Sequence, residues 1–357
     1  MPVFRPTADC IWNSFRSSGK RHLILTGNRG SGKSTLLKAL FPEPIPGITT
    51  WAEPKKAVWL KENHTGRCAQ VGRYDDHLLG LENKMALCSD GFRELGIRAI
   101  KACMEQAEEW VTLDEIGYLE TECPEYCHWI RRLLSCKRAA LVLRKQETKL
   151  FRELTGREDV FTVDLDAPYG SLGCVVMASG LGKRFGGNKL LADFQGEPML
   201  FRVLAATEGI FRNRVVVTRS QEIISLCREK GIDTVLHQLP HRSDTVRLGL
   251  EAVGAVDGCL FCQGDQPLLR RETVAALALA GGNDPGSIWR TCFQNTPGSP
   301  VLFPKWSFPE LKELPEGLGG GYVVKKHPER LRMVSVRDEY ELMDVDSPED
   351  YQMLLER

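Results

Sequence analysis

Short runs of consecutive apolar residues at 22–26, 110–114, 139–143 and 160–163 carry the β-rich pattern of buried strands. Between them, 33–40, 92–109, 123–134 and 148–154 space their apolar residues as helices do. Strands alternating with helices predict βαβ units and a mainly parallel sheet covered on both faces. The polar stretch 164–173, with Pro168 and Gly170, reads as a linker. A second series follows, with strands at 174–178, 214–218, 234–236, 259–263 and 332–336. Its helices fall at 197–207, 221–230, 244–252, 272–280 and 348–355, and the glycine-rich 316–321 reads as a mobile or ligand-facing segment. Neither half repeats at a solenoid period. The expectation is an α/β chain of two domains, 1–168 and 169–357.

Composition narrows the partners. A chain of 357 residues suits two domains at roughly 150 residues each. Lys plus Arg total 47 and Asp plus Glu total 47, so no cationic excess exists to hold nucleic acid or an anionic membrane. No apolar run approaches the ~18 to 20 residues of a membrane helix. The opening residues lack the basic-then-apolar order of a secretory signal, and the twelve cysteines are scattered, as buried small residues of a reducing compartment would be. The expected location is the cytoplasm, with no nucleic-acid or membrane partner.

Residues 27–35 read GNRGSGKST, and Gly27, Gly32, Lys33 and Ser34 satisfy G-x-x-x-x-G-K-[ST]. Such a loop curls so that backbone N–H groups face phosphate oxygens, at the positive end of the helix it opens. The expected nucleotide contacts are Gly27, Asn28, Arg29, Gly30, Ser31, Gly32, Lys33, Ser34 and Thr35. Lys33 would reach the β and γ phosphates, and Ser34 would ligate Mg²⁺. The strand at 110–114 delivers Asp114 and Glu115. Asp114 is the expected second metal group, and Glu115 the group that orients or deprotonates an attacking water.

A second glycine loop, SGLGKRFGGNK at 179–189, follows the strand at 174–178. Bare amides and the cations Lys183, Arg184 and Lys189 after a strand suit a triphosphate, and the G-x-G-x-x-x-G spacing is not the dinucleotide fingerprint. The expected nucleotide contacts are Ala178, Ser179, Gly180, Leu181 and Gly182. Asp265 follows the apolar strand 259–263, at the sheet edge where open α/β sheets bind ligands. Asp344 and Asp346 stand two apart in MDVDSPED, on one face if extended. One of them could join Asp265 around Mg²⁺. The same stretch also reads as a helix start capped by Ser347, and both readings can hold together.

The segments GNRGSGKST, VGRYDD (71–76) and LDEIGYLE (113–120) resemble the THEP1-type P-loop nucleoside triphosphatases over about residues 20–165. That resemblance implies a P-loop NTPase fold, hydrolysis of ATP, GTP or other nucleoside triphosphates, and a place for Arg73 in the site. The segments ASGLGKRFGGNKLL (178–191), GEPML (196–200), RSDTVRLGLEA (242–252), GDQPLL (264–269), GSPVLF (298–303) and DVDSPED (344–350) resemble the MobA/MocA-like nucleotidyltransferases. Within that family the likeness is nearest to molybdenum cofactor cytidylyltransferases and molybdenum hydroxylase accessory proteins. It implies a Rossmann-like, GT-A-like three-layer sandwich that transfers CMP from CTP to molybdopterin, with pyrophosphate leaving and a molybdenum hydroxylase as client. Arg184 and Lys189 would neutralise the triphosphate, and Asp265 with Asp344 or Asp346 would hold Mg²⁺. Two departures are Ser179, where the cytidylyl branch has Ala and the guanylyl branch Gly, and EGLGGGYV (316–323) in place of Gly-Asp-x-Gly. The alternatives are a transferase specific for GTP or a sugar phosphate, and a non-catalytic carrier of finished cofactor switched by the first domain.

Other features are read as structural. Cys259 and Cys262 point to opposite faces of a strand. Cys123, Cys127 and His128 lack a second ligand pair. His237 and His241 read as loop residues, and Met333, Met343 and Met353 as packing residues.

Overall fold

A computed structural model describes residues 2–78, 84–180, 182 and 184–357, so the expected contact Leu181 and the cation Lys183 lie outside the described residues. The chain divides into two compact units, Gly19–Pro168 and a second built from residues 2–18 with Tyr169–Arg357. Where the expectation cuts the chain once at 168, residues 2–18 fold with the far half, and the first unit is an insertion in the chain of the second.

The first unit holds strands β1 His22–Gly27, β2 Gly47–Glu53, β3 Ala57–Glu62, β4 Cys68–Tyr74, β5 Met85–Leu87, β6 Trp110–Ile116, β7 Arg138–Arg144 and β8 Val160–Asp164. They form one sheet in the order β5-β4-β3-β2-β6-β7-β1-β8. From β2 through β8 the pairing is parallel, while β2, β3, β4 and β5 form an antiparallel meander. The expected mainly parallel sheet is thus half of a mixed one. β1 is buried at every position and β7 at its five inner positions, as a two-sided parallel core requires. The helix expected over 92–109 is a π-helical turn at Phe92–Gly96 continuing as Ile97–Glu105. Tyr126 packs beneath that turn, 4.6 Å between ring centroids from Phe92.

The second unit holds β9 Leu172–Ala178, β10 Asp193–Phe194, β11 Glu197–Pro198, β12 Asn213–Thr218, β13 Asp233–Leu236, β14 Gly258–Gln263, β15 Ile288–Phe293, β16 Thr296–Pro304 and β17 Leu331–Ser335. β10 and β11 make a small hairpin, and the others form a sheet ordered β13-β12-β9-β14-β16-β15-β17. β13, β12, β9 and β14 run parallel, and β16 runs against β14 and β15. The carboxyl ends of β13, β12, β9 and β14 therefore line one edge in that order, and Ser179, Gly180 and Asp265 directly follow β9 and β14 at that edge.

Helix Ala8–Ser18 buries Cys10, Ile11, Ser14 and Phe15 against this unit. Ser14 Oγ donates to Ala276 O at 2.7 Å, inside helix Arg271–Asn283, and Asn13 Nδ2 donates to Ser335 O at 2.8 Å, at the end of β17. No helix among the described residues is long and apolar enough to cross a membrane.

Candidate functional site

In the first unit, β1 runs into the phosphate loop and helix Lys33–Leu40. A side chain at Gly27 would come within 2.8 Å of Ser31 Oγ, so the tight start of the loop requires glycine. Lys33 is buried and folds back over the loop, its Nζ donating to Gly27 O and Asn28 O, each at 2.8 Å. Burial holds its ammonium below the usual lysine range, partly offset by Glu115. Ser34 Oγ donates to Asp114 Oδ1 at 3.0 Å, which joins the two expected metal groups. Burial raises the Asp114 carboxyl, against the Ser34 hydrogen bond. Glu115 Oε1 lies 3.0 Å from Arg144 Nε. Ser31 Oγ is buried and without a partner among the described residues, as a phosphate-facing hydroxyl would be. Asn28, Arg29, Gly30 and Thr35 are exposed around the loop, and Arg73 is exposed on β4.

Sequence reasoning missed three residues here. Asp166 Oδ2 accepts from Asn28 N at 2.8 Å and so occupies a loop amide. Lys145 Nζ ties Asp166 at 3.5 Å to Asp164 at 2.7 Å, and Arg144 holds Glu115. All three sit at the ends of β7 and β8, which flank β1. Their partners are remote in sequence, so no local motif announces them.

In the second unit, β9 delivers Ser179, Gly180 and the following loop. Gly182 is required by close approach: a Cβ there would lie 2.0 Å from Gly187 O. Lys189 is buried and makes the central contacts, with Nζ 2.7 Å from Asp265 Oδ2 and 3.0 Å from Asp346 Oδ1. Burial alone would lower its ammonium, but the hydrogen bond and field of Asp265, with those of Asp346, hold it above the usual lysine range. Arg184 Nη2 takes the other Asp346 oxygen at 2.7 Å. The hydrogen bond from Lys189, with Arg184, keeps Asp346 below the usual carboxylate range.

Asp344 behaves differently. Burial, with the nearby charges of Asp265 and Asp346, pushes it up to about 7. One oxygen accepts from Gln263 Nε2 at 3.1 Å. Asp344 Oδ1 and Asp265 Oδ1 are both buried and without partners among the described residues. Two orphaned carboxylate oxygens beside a cationic loop suit a divalent cation. Asp346, expected as an equal alternative, is occupied by Lys189 and Arg184, and no group of three His, Cys, Asp or Glu gathers around one point among the described residues. The helix-start reading of 344–350 holds: Ser347 caps helix Pro348–Leu355, with Asp350 N donating to Ser347 Oγ at 3.2 Å.

A cavity of about 460 Å³ opens over this cluster, lined by Ser179, Gly180, Gly182, Arg184, Lys189 and Asp265 among others. It shares Met177, Arg242 and Gln263 with a second cavity of about 460 Å³, whose wall includes Gly319, Gly320 and Gly321. Four residues of the glycine-rich segment, Leu318 to Gly321, thus line a cavity wall. His237, expected as a plain loop residue, is buried directly after β13, with Nε2 2.8 Å from Ser179 Oγ. Cys127 Sγ donates to Glu120 O at 3.0 Å, and His128 is exposed. Cys259 joins the core with Val175, while Cys262, a free thiol, lies within hydrogen-bond reach of the free thiol of Cys174 on the other face.

These observations define an α/β chain in which two glycine loops leave strand ends, each beside a pair of acids. The comparisons with known proteins divide the chain the same way. The family model described as "MobA-like NTP transferase domain" matches residues 174–331, and that described as "NTPase" matches residues 52–168. The chain carries an NTPase domain and a MobA-like NTP transferase domain, and the phosphate loop at 27–35 precedes the matched NTPase stretch. A probable molybdenum cofactor guanylyltransferase from Aquifex aeolicus is 29% identical over 119 residues, 33% of this chain and 57% of that protein. A 3-deoxy-manno-octulosonate cytidylyltransferase from Francisella tularensis is 35% identical over 97 residues, 26% of this chain and 38% of that protein. The chain thus spans between about a third and three fifths of the curated relatives it matches. Among solved structures, Rv0371c from Mycobacterium tuberculosis H37Rv has 23% identity and a TM-score of 0.46, over 53% of this chain and 98% of that one. The CMP:2-keto-3-deoxy-manno-octonic acid synthetase complexed with CTP has 15% identity and a TM-score of 0.46, over 52% and 98%.

Proposed function

We propose that the second unit is a molybdenum cofactor cytidylyltransferase, moving CMP from CTP to the terminal phosphate of molybdopterin with release of pyrophosphate. The first unit, in this reading, hydrolyses ATP, GTP or another nucleoside triphosphate. The observation that carries the reading is the Arg184–Asp346–Lys189–Asp265 chain of ion pairs beneath one of two adjoining cavities. One cavity suits a triphosphate. The other has the cations Arg242, Arg290 and Lys325 with the rings of Phe261, Phe303 and Tyr322, a lining for a flat acceptor that carries phosphate. Arg290 has no ion pair among the described residues, so an anionic acceptor would supply one.

The acceptor phosphate is already anionic and needs no protein base to attack the α-phosphorus. Arg184 and Lys189 neutralise the charge that moves onto the leaving pyrophosphate. The orphaned oxygens of Asp265 and Asp344 would hold Mg²⁺, which when bound polarises the phosphates as a Lewis acid. Positioning across the shared wall of Met177, Arg242 and Gln263 brings donor and acceptor together. In the first unit, Ser34 and Asp114 would hold Mg²⁺ and Glu115 would orient water, with release of phosphate rather than pyrophosphate. The test is acceptor-dependent pyrophosphate release from CTP. Its loss in Asp265→Ala supports the transferase, and cofactor binding without pyrophosphate release supports a carrier instead.

A further inference from the structure

Glu115 stands out of line on its own strand. Between β6 and β7, Asp114 pairs with Val142 and Ile116 with Leu143, so the ladder skips Glu115, as a bulge does when it re-aims one side chain. That side chain meets Arg144, with Oε1 3.0 Å from Nε. Arg144 ends β7, and in the β1–β7 register it lies directly opposite Gly27, the first residue of the phosphate loop. β7 runs between β6 and β1. Arg144 therefore stands one strand spacing, about 5 Å, from the loop on one side and from the strand of the acids on the other. The Lys33 ammonium feels both Glu115 and Arg144, which puts the three charges in one cluster. Gly117 makes room for the arginine stem, since a Cβ there would lie 3.0 Å from Arg144 Cδ.

Both cations of the cluster are tied to internal acceptors. Lys33, read as reaching the β and γ phosphates, donates to the carbonyls of Gly27 and Asn28. Arg144 is tied in the same way to Glu115, the group read as orienting water. A carboxylate so neutralised holds a water poorly, so this pair has to open for hydrolysis. It is partly exposed, 22% for Arg144 and 35% for Glu115, and such a pair is held by little free energy. A bound triphosphate carries more negative charge than one carboxylate, and the planar guanidinium fork matches phosphate oxygens. The next cation along, Lys145, is committed to Asp164 and Asp166, which leaves Arg144 as the β7 cation that meets Glu115.

We propose that Arg144 is a catalytic residue of the first unit: it leaves Glu115 for the γ-phosphate of a bound nucleoside triphosphate, stabilises the charge that develops there, and by leaving frees Glu115 to orient the attacking water. The water oxygen bonds to the γ-phosphorus. The β–γ bridging P–O bond breaks with its electron pair staying on the diphosphate, and both water protons leave on the released phosphate. This inference rests on the hydrolytic reading of the first unit and adds to it a cation that the loop sequence does not announce.

The test takes two readouts on the full chain with Mg²⁺. One is phosphate release from ATP, and the other is binding of ADP with and without aluminium fluoride, which mimics the phosphoryl group in transfer. An arginine on the γ-phosphate contributes roughly 10³ or more to kcat. Arg144→Ala should therefore lower kcat by at least about 100-fold and leave KM within about threefold. Arg144→Gln, which keeps length and polarity without the charge, should lose as much. ADP alone should bind both variants as it binds wild type, while ADP with aluminium fluoride should bind at least about 100-fold more weakly. The same weakening should appear in a Glu115→Gln background, because the arginine acts on the phosphate and not through Glu115. A wild-type rate in Arg144→Gln, equal loss of ADP binding with and without aluminium fluoride, or no weakening in the Glu115→Gln background overturns the inference while the hydrolytic reading stands. Phosphate release that is absent from wild type, or unaltered in Lys33→Ala, overturns both.

Discussion

Lys189 Nζ sits 2.7 Å from Asp265 Oδ2, joining the glycine loop after β9 to the acid after β14. Because the lysine is buried and Asp346 takes a second side of it, its charge is fixed in place before any ligand arrives. Lys189→Met removes that charge where the leaving pyrophosphate would be neutralised. Pyrophosphate release with acceptor and CTP should fall by at least about 100-fold, the cost of losing one preorganised charge partner. Activity within a few-fold of wild type would place the leaving group elsewhere.

The first unit should fail separately. Ser34 Oγ and Asp114 Oδ1 are 3.0 Å apart, and Lys33 closes the loop over Gly27 O and Asn28 O. Lys33→Ala and Asp114→Asn should each cut phosphate release from nucleoside triphosphates by about 100-fold or more. Hydrolysis that survives in both would assign it to another site.

Glu120 gives the first unit a pH signature. Burial pushes its carboxyl from an ordinary 4.5 up to about 7, although Gly117 N donates to it at 2.7 Å. The folded state therefore keeps a proton that the unfolded chain has released. Stability from this group falls as pH rises from about 4.5 to 7 and is level above that, with an upper bound of about 3 kcal/mol. Glu120→Gln should flatten that part of the profile and raise the melting temperature at pH 8. Parallel wild-type and variant melting profiles from pH 5 to 8 would contradict the assignment.

The N-terminal helix should stabilise the unit at the other end of the chain. Phe15 is fully buried and Ser14 Oγ donates to Ala276 O. Phe15→Ala should cost about 3 to 5 kcal/mol, seen as a lower urea midpoint for the second unit by hydrogen exchange of β9 and β14. Unchanged protection of those strands would show that the helix is dispensable.

Much of this was legible in local patterns. The two loops, Asp114, Asp265 and the cap at Ser347 are signals carried by neighbouring residues; the structure sets the loops and the two acids at or near strand ends and Ser347 at the start of helix Pro348–Leu355. The meander β2–β5 was not legible. Its strands interleave Thr, Lys, Glu and Gln with apolar residues and are only partly buried, so neither a buried-strand run nor a clean alternation appears. The N-terminal helix carries a readable apolar face, but its partner at Ala276 is 262 residues away. His237 has the same difficulty, since its partner Ser179 is 58 residues off and a lone histidine beside Pro240 has no pattern. Asp344 and Asp346 looked equivalent in sequence, and only the placement of Lys189 and Arg184 separates them.

The central claim is that the second unit transfers a nucleotide. The direct measurement follows CTP labelled at the α-phosphate, with Mg²⁺ and molybdenum-loaded molybdopterin, and identifies products by mass spectrometry. The account predicts label on a cytosine dinucleotide of the pterin with unlabelled pyrophosphate, lost in Asp265→Ala and retained in Lys33→Ala. Bound cofactor with no pterin dinucleotide from either CTP or GTP would contradict it.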